Sequence, residues 1–158
     1  MQIVNVEEKY NKEIEDLIRY CLIEYGGNHE GTAWADPYLG RFSEVYCGKD
    51  DAQYWVAVDD EGNVVGGVGI GPLEGVPGTC ELQKMYAYPE VRGTGIAQKL
   101  LNLALEFAEK QYDYCYLETF DNMIPAQKFY AKNGFERTDH ALGDTGHFSC
   151  EVKMIKKL

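Results

Sequence analysis

The sequence predicts an α/β fold with a mixed central sheet of six to seven strands and helices on both faces. Segments with strand and helix periodicity follow one another in the order β-α-α-β-β-β-α-β-α-β-β, which indicates helices packed on a mixed sheet. In the middle of the chain, a strand runs through a glycine turn into an amphipathic helix. The length of 158 residues and the 45% hydrophobic content are typical of one globular domain, predicted here to span residues 1–158.

The N-terminal third of the chain predicts a strand and two helices. Gln2 to Val6 is a short apolar strand. Glu8 to Tyr25 predicts an amphipathic helix, which Gly26 and Gly27 end. After a loop of turn formers and aromatics, Pro37 to Cys47 predicts a shorter helix. The apolar stripe of the first helix consists of Ile14, Leu17, Ile18, Cys21 and Leu22.

The middle of the chain predicts a hairpin followed by the strand, turn and helix. Tyr54 to Val58 and Val64 to Ile70 read as its two arms, and Glu81 to Tyr88 alternates as the next strand. The glycine turn then leads into a helix from about Ile96 to Gln111. The segment therefore supplies three strands and one long helix.

The C-terminal third predicts three further strands around one short helix. Tyr114 to Thr119 is a compact apolar strand, and Pro125 to Asn133 is a helix that Gly134 ends. Phe135 to Thr138 begins another strand. The tail from Gly146 to Leu158 predicts a final strand, because apolar residues alternate at Phe148, Cys150, Val152 and Met154.

Composition limits the classes of partner and the compartment. The 26 acidic and 15 basic residues give a net charge of −11, which repels nucleic acid and anionic membranes and attracts cations. The five cysteines are widely spaced, and neither a CxxC pair nor clustered histidines suggest a metal site. With no signal-like start and no long apolar run, we expect a cytoplasmic protein that has no metal and binds neither nucleic acid nor membranes.

The glycine turn, Arg92-Gly-Thr-Gly-Ile-Ala97, has the chemistry of a phosphate cradle. It precedes a helix, where free amide groups and the helix dipole favour negative charge. A Walker A loop requires Lys followed by Ser or Thr where Ile96 and Ala97 stand. A dinucleotide fingerprint requires glycine at Gln98. ATP and NAD are therefore disfavoured as ligands.

Arg92-x-x-Gly95-x-Ala97 resembles the Q/R-x-x-G-x-G/A motif of the GNAT superfamily of acetyltransferases. Tyr116 to Thr119 and the helix that ends in Asn-Gly-Phe135 are similar to the second conserved block of that superfamily. The similarity is good from Trp55 to Phe135. Within the superfamily, C-E-L-Q-K-M-Y at 80–86 and A-L-G-x-T-G-H at 141–147 resemble a bacterial group of small acetyltransferases.

The resemblance implies that the chain binds acetyl-coenzyme A (acetyl-CoA) and acetylates an amine. It also implies that the strand carrying Met85 splays from the Tyr114–Thr119 strand and leaves a slot for the cofactor. The cofactor-binding residues implied are Met85, Tyr86, Ala87, Arg92, Gly93, Thr94, Gly95, Ile96, Ala97, Gln98, Asn122 and Tyr130.

The reaction requires a base and an acid. An alkylammonium has a pKa of about 10.4, so a base must help to produce the neutral amine. Glu81 matches a position where some GNAT enzymes carry a catalytic glutamate, and Glu118 is the reserve. Tyr130 matches the general-acid tyrosine of the family, which protonates the leaving thiolate.

The acceptor is less well defined by sequence. Trp34, Tyr38 and Glu118 are the candidates for its pocket, whereas His147 has no partner at a spacing that suggests catalysis. A small-molecule amine is the expected acceptor. Three alternatives remain open: an acceptor that is a protein or peptide N-terminus, a donor with a longer acyl group, and a module that senses acetyl-CoA without catalysis. Pairing of two chains through their last strands also remains open.

Overall fold

A computed structural model describes all 158 residues and confirms the predicted fold class. The strands are β1 (Gln2–Asn5), β2 (Gln53–Val58), β3 (Val64–Pro72), β4 (Thr79–Ala87), β5 (Tyr114–Thr119), β6 (Glu136–Thr138) and β7 (Val152–Lys157). The α-helices are α1 (Asn11–Glu24), α2 (Phe42–Tyr46), α3 (Ile96–Glu109) and α4 (Ile124–Lys132). None of these helices has the length and apolar character needed to cross a membrane.

All seven strands form one sheet, in the order β1-β2-β3-β4-β5-β7-β6. Every neighbouring pair is antiparallel except β4 and β5, which are parallel. A parallel pair needs a crossover connection, and α3 supplies it. The glycine turn therefore lies at the end of β4, in the middle of the sheet.

The two faces of the sheet carry separate apolar clusters. The stripe of α1 that the sequence predicts is buried in the first cluster, together with α2. The second cluster joins α3 and α4 to the opposite face, with Leu100, Leu101 and Ala104 fully buried. Helices therefore cover both faces, and any opening between two strands connects the two sides of the protein.

Strands β4 and β5 form such an opening. They pair only at Thr79–Tyr114, Cys80–Cys115 and Glu81–Tyr116. Beyond these three pairs the strands diverge, although both continue for several residues. The divergence agrees with the splay that the family resemblance implies, and we call the space between the strands the slot.

A bulge in β4 changes which side chains face the slot. Gly67 pairs with Tyr86 and Gly69 pairs with Gln83, so β4 contains one residue more than β3 between these points. Lys84 lies in this bulge with φ +49°, and no other non-glycine residue has a positive φ. The extra residue reverses the alternation of β4 between its two halves.

Two predicted boundaries are wrong. The second helix begins at Phe42 instead of Pro37, because Pro37 to Gly40 form turns. The final strand begins at Val152 instead of Gly146. The intervening segment is tied to the loop after α1, where the Ser149 amide donates to the Gly31 carbonyl, and Phe148 is 80% exposed rather than packed inward.

Candidate active site

The glycine turn presents free backbone amides at the start of α3. The first helical hydrogen bond joins the Lys99 amide to the Gly95 carbonyl. No hydrogen bond within the protein uses the amides of Gly93, Gly95, Ile96, Ala97 and Gln98. Five unpaired donors at a helix N-terminus form a site for an anion such as a pyrophosphate.

Both glycines of this turn have left-handed backbones. Gly93 has φ +78° and Gly95 has φ +88°, which side chains other than glycine rarely adopt. A Cβ at either position would meet no atom within 4 Å. Backbone conformation, rather than crowding within the protein, is therefore what requires glycine here.

Arg92 is held by α1. Its guanidinium donates to both oxygens of Glu24, at 2.7 and 2.8 Å, and to the Ala87 carbonyl at 3.0 Å. The hydrogen bond from Arg92 holds the pKa of the Glu24 carboxyl below its usual value. The side chain of Arg92 thus positions the turn, although it also borders the cavity beside it.

A mainly apolar cavity of about 290 Å³ extends from this turn along the slot. Its walls include Gly93, Gly95, Ile96 and Ala97 at one end and Tyr130 at the other. Met85, Tyr86 and Ala87 form the β4 side. A long ligand with an anionic part and an apolar arm fits this combination of walls.

A second, smaller cavity of about 50 Å³ lies between the diverging strands. It contacts Glu118 and Lys84, and it shares Met85, Tyr86, Met123 and Tyr130 with the larger cavity. The two cavities therefore meet at a wall that includes the side chain of Tyr130, and a group that reaches the end of the first faces the second.

Tyr130 is buried by its aromatic neighbours but keeps an open hydroxyl. Its ring packs 5.7 Å from Phe129 and 5.8 Å from Phe135, measured between ring centroids. Every fully buried side-chain polar atom has a hydrogen-bond partner, whereas the Tyr130 hydroxyl has none and so faces the cavities. Burial raises the pKa of Tyr130 well above 10, which keeps the phenol protonated at neutral pH.

Glu81 lies beside the slot, on the face of the sheet that carries α1 and α2. Its carboxylate accepts a hydrogen bond from Gln83 Nε2 at 2.9 Å, and Gln83 in turn accepts one from the Tyr46 hydroxyl. Burial raises the pKa of Glu81 above 4.5, although the Gln83 bond and the nearby Lys84 ammonium oppose this effect. A carboxylate with a raised pKa is a stronger base.

Glu118 and His147 complete a cluster with Glu81. One side-chain acceptor atom from each of the three lies within 4.8 Å of those of the other two. Glu118 also accepts hydrogen bonds from Tyr116, at 2.7 Å, and from the Thr145 hydroxyl. These two donors occupy two of the roughly four lone pairs of the carboxylate, so Glu118 can still accept further hydrogen bonds.

A buried ion pair contacts this cluster through His147. Lys84 Nζ lies 2.7 Å from Asp36 Oδ2, and the two side chains are only 6% and 14% exposed. His147 Nε2 lies 3.0 Å from the same oxygen. Burial alone would raise the pKa of Asp36, but the His147 hydrogen bond and the Lys84 charge outweigh it and lower that pKa below 3.8.

Other predicted site residues lie at the margins. Tyr38 stacks near the Lys84 ammonium, 5.8 Å from Nζ to the ring centroid, whereas Trp34 packs on Arg19 and lines neither cavity. The side-chain amide of Asn122 donates to the Tyr25 carbonyl at 3.0 Å. The Thr94 hydroxyl bonds to the Val91 carbonyl, and the Gln98 side chain bonds to Asn133.

Sequence reasoning did not identify three residues of the acceptor side. Sequence patterns assign no role to Asp36 and Lys84, and they give His147 no partner at a spacing that suggests catalysis. The available signals were the A-L-G-x-T-G-H block, which ends in His147, and the presence of lysine within an otherwise alternating strand. Tyr25 was also missed, although it borders the larger cavity.

Comparisons with known proteins agree with this geometry. Residues 11–135 match the model of the acetyltransferase (GNAT) family. An uncharacterized N-acetyltransferase of Escherichia coli K12, YjgM, is 46% identical over 94% of this chain and 89% of its own length. The crystal structure of a GNAT-family acetyltransferase from Staphylococcus aureus Mu50 superposes with a TM-score of 0.87 at 24% identity, over 99% of this chain and 98% of that one.

One similar fold comes from a structure solved with coenzyme A. The PaiA N-acetyltransferase of Thermoplasma acidophilum, in complex with coenzyme A, gives a TM-score of 0.71 at 18% identity and covers the full length of both chains. The family match spans most of the chain, and the E. coli relative is similar over nearly all of it. This chain therefore belongs to the GNAT family of N-acetyltransferases.

Proposed function

We propose that the protein transfers the acetyl group of acetyl-CoA directly to a primary amine of a small molecule, while both reactants are bound. The observation that carries this proposal is the position of Tyr130, whose open hydroxyl lies where the two cavities meet. Acetyl-CoA would fill the larger cavity, with its pyrophosphate on the five free amides. The acceptor would approach from the side of Glu81 and Glu118.

Each group would have one role in the reaction. Glu81 would remove a proton from the ammonium, and the neutral amine would attack the thioester carbonyl carbon. As the C–S bond breaks, Tyr130 would donate its proton to the thiolate sulfur, and the second proton that the nitrogen loses would restore the phenol. A backbone amide near Ala87 would stabilise the oxyanion.

The surroundings of the acceptor side support a cationic substrate. Glu81, Glu118 and Asp36 are acidic, and Lys84 neutralises only one of them. The excess negative charge attracts an ammonium and favours its approach to the base. Since this side of the slot is narrow, we propose a small-molecule amine in preference to a folded protein.

We further propose that the 158 residues act as one cytoplasmic domain that needs no metal. The presence of β1 and β7 in one sheet supports a single domain. The net charge of −11 supports the absence of nucleic-acid and membrane partners. A homodimer remains a prediction, which a mass from light scattering checks.

Thiol release from acetyl-CoA, measured over a panel of amino acids, polyamines and short peptides, tests the activity. We expect turnover with at least one small amine and the same rate with a metal chelator present. Calorimetric binding of acetyl-CoA without any turnover would instead support a sensor. Turnover with peptides alone would support N-terminal acetylation of proteins.

Replacement of Gly95 by alanine should weaken acetyl-CoA binding. Gly95 has φ +88°, and alanine in this conformation costs roughly 1–2 kcal/mol, so the turn shifts and its amides move away from the pyrophosphate. We expect a dissociation constant about tenfold higher by calorimetry, since 1.4 kcal/mol is a tenfold change. Gly48→Ala is the control, because Gly48 has φ +76° and an equally open Cβ position away from both cavities.

Replacement of Glu81 by glutamine should remove the acidic limb of the pH profile. Activity falls with decreasing pH as Glu81 takes up a proton, and its raised pKa places this fall above pH 4.5. We expect kcat to drop about a hundredfold near neutral pH, because a general base contributes roughly 10²–10⁴. Glu118→Gln, assayed in parallel, shows which carboxylate is the base, and an unchanged pH profile in Glu81→Gln would refute its role.

A further inference from the structure

We propose that His147, oriented by Asp36, accepts the proton that Glu81 removes from the acceptor amine and releases it to solvent. This inference rests on the proposed function, because it concerns the proton that each acetyl transfer sets free. It assigns a reaction role to the segment before β7, in which the sequence predicts only a strand.

The stoichiometry of acetyl transfer requires an exit for one proton. An ammonium and acetyl-CoA give an N-acetyl amine, free coenzyme A and one proton. The ammonium gives up two protons in all, one before and one after the attack on the carbonyl carbon. One of them replaces the proton that Tyr130 gives to the thiolate, and the other must leave Glu81 before the next turnover.

His147 lies where it can take this proton. Acceptor atoms of Glu81, Glu118 and His147 lie within 4.8 Å of one another without a direct hydrogen bond between them. A water above the centre of such a triangle would lie about 2.8 Å from each corner, a normal hydrogen-bond distance. In the proposed relay, one water at that position carries a proton from Glu81 to Nδ1 of the imidazole.

Asp36 fixes how the imidazole can act. Its two carboxylate oxygens lie 3.1 and 3.0 Å from His147 Nε2. A ring nitrogen that donates to a carboxylate leaves the other nitrogen, Nδ1, free to accept a proton. The same carboxylate would stabilise the imidazolium that forms, as acidic partners do in other histidine bases.

His147 also borders a route to solvent. A third cavity, of about 380 Å³, lies outside the slot and is lined by Glu118, Thr145 and His147. Glu118 lines both this outer cavity and the slot, so the cluster separates the two spaces. A proton on His147 is thus one step from bulk water, whereas Glu81 does not line the outer cavity.

Several charged or titratable groups surround His147. They are Asp36 and Tyr38 from the loop after α1, Glu81 and Lys84 from β4, Tyr116 and Glu118 from β5, Asp144 from the loop that carries His147, and Lys153 from β7.

Two substitutions separate proton transfer from positioning. His147→Gln keeps a hydrogen-bond donor for Asp36 but cannot carry a proton, and His147→Ala leaves a space that free imidazole can enter. We expect both variants to lose at least tenfold in kcat at neutral pH with little change in KM for acetyl-CoA. Added imidazole should restore part of kcat in His147→Ala but not in Glu81→Gln.

His140→Ala changes an exposed histidine in the same connection and should behave like the unaltered protein. Normal activity in His147→Gln, or a loss in His147→Ala that is the same at every pH and resists imidazole, would overturn the inference and leave a structural role. Absence of turnover by the unaltered protein with every amine would overturn the proposed function itself.

Discussion

Tyr130→Phe is expected to lower kcat about a hundredfold while acetyl-CoA binds as before. In the proposed mechanism the phenol donates its proton to the leaving thiolate, and general acids contribute roughly 10²–10⁴ to rate. Phenylalanine keeps the ring that packs on Phe129 and Phe135, so the wall of the cavity stays in place. Steady-state kinetics and calorimetric titration together measure both quantities.

Tyr86 supplies the sharpest comparison for this experiment. It also lines both cavities, and burial raises its pKa as well. If Tyr86→Phe rather than Tyr130→Phe abolishes turnover, the acid is Tyr86. Tyr114→Phe, on an exposed ring outside the slot, is the control for removal of a hydroxyl. Equal kcat values for Tyr130→Phe and the unaltered protein would refute the role of Tyr130 as the general acid.

Lys84→Met is expected to cost about 3 kcal/mol in the free energy of unfolding. The change removes an ammonium that lies 2.7 Å from Asp36 and leaves a buried carboxylate with His147 as its remaining partner. Breaking a buried ion pair from one side typically costs 3–5 kcal/mol. Urea unfolding, with the slope checked for constancy, measures the loss.

The pH dependence of this loss has a definite sign. Because the folded pKa of Asp36 lies below 3.8, its interactions stabilise the protein above that pH and are lost as pH falls through the folded value. The difference between Lys84→Met and the unaltered protein should therefore shrink in acid. Adding Asp36→Asn to Lys84→Met should recover much of the stability at neutral pH.

An exposed ion pair provides the matched control. Lys12 lies 2.5 Å from Asp16 on the surface of α1, a distance similar to that of the buried pair. Solvent screens exposed pairs, so Lys12→Met should leave the unfolding midpoint unchanged. A comparable loss in both variants would mean that burial does not determine the importance of the Lys84–Asp36 pair.

Local patterns predicted the parts of this protein that local interactions determine. All five residues of the α1 stripe are buried because a helix repeats its face every three to four residues, whatever it packs against. The cradle was predictable for the same reason: Gly93 and Gly95 set the backbone of one short turn. The existence of all seven strands followed from short apolar runs and from alternation between turn residues.

The bulge and the acceptor cluster depend on contacts that no local pattern records. The position of Lys84 in the bulge is set by the register of β4 against β3. His147 meets Asp36 across 111 positions of sequence, which turns a predicted strand into a loop held by a distant carboxylate. Periodicity cannot foresee such a pairing, because neither residue stands out among its neighbours.

The short pairing between β4 and β5 determines how easily the slot can change in width. The strands β1–β4 and β5–β7 are joined by only three residue pairs, so a small rotation about that end widens the slot without breaking the other ladders. The resistance to widening comes instead from side chains such as Met85 and Met123, whose flexible thioethers adapt their shape. Substitution of a few side chains along the slot would therefore change its width while the backbone stays the same.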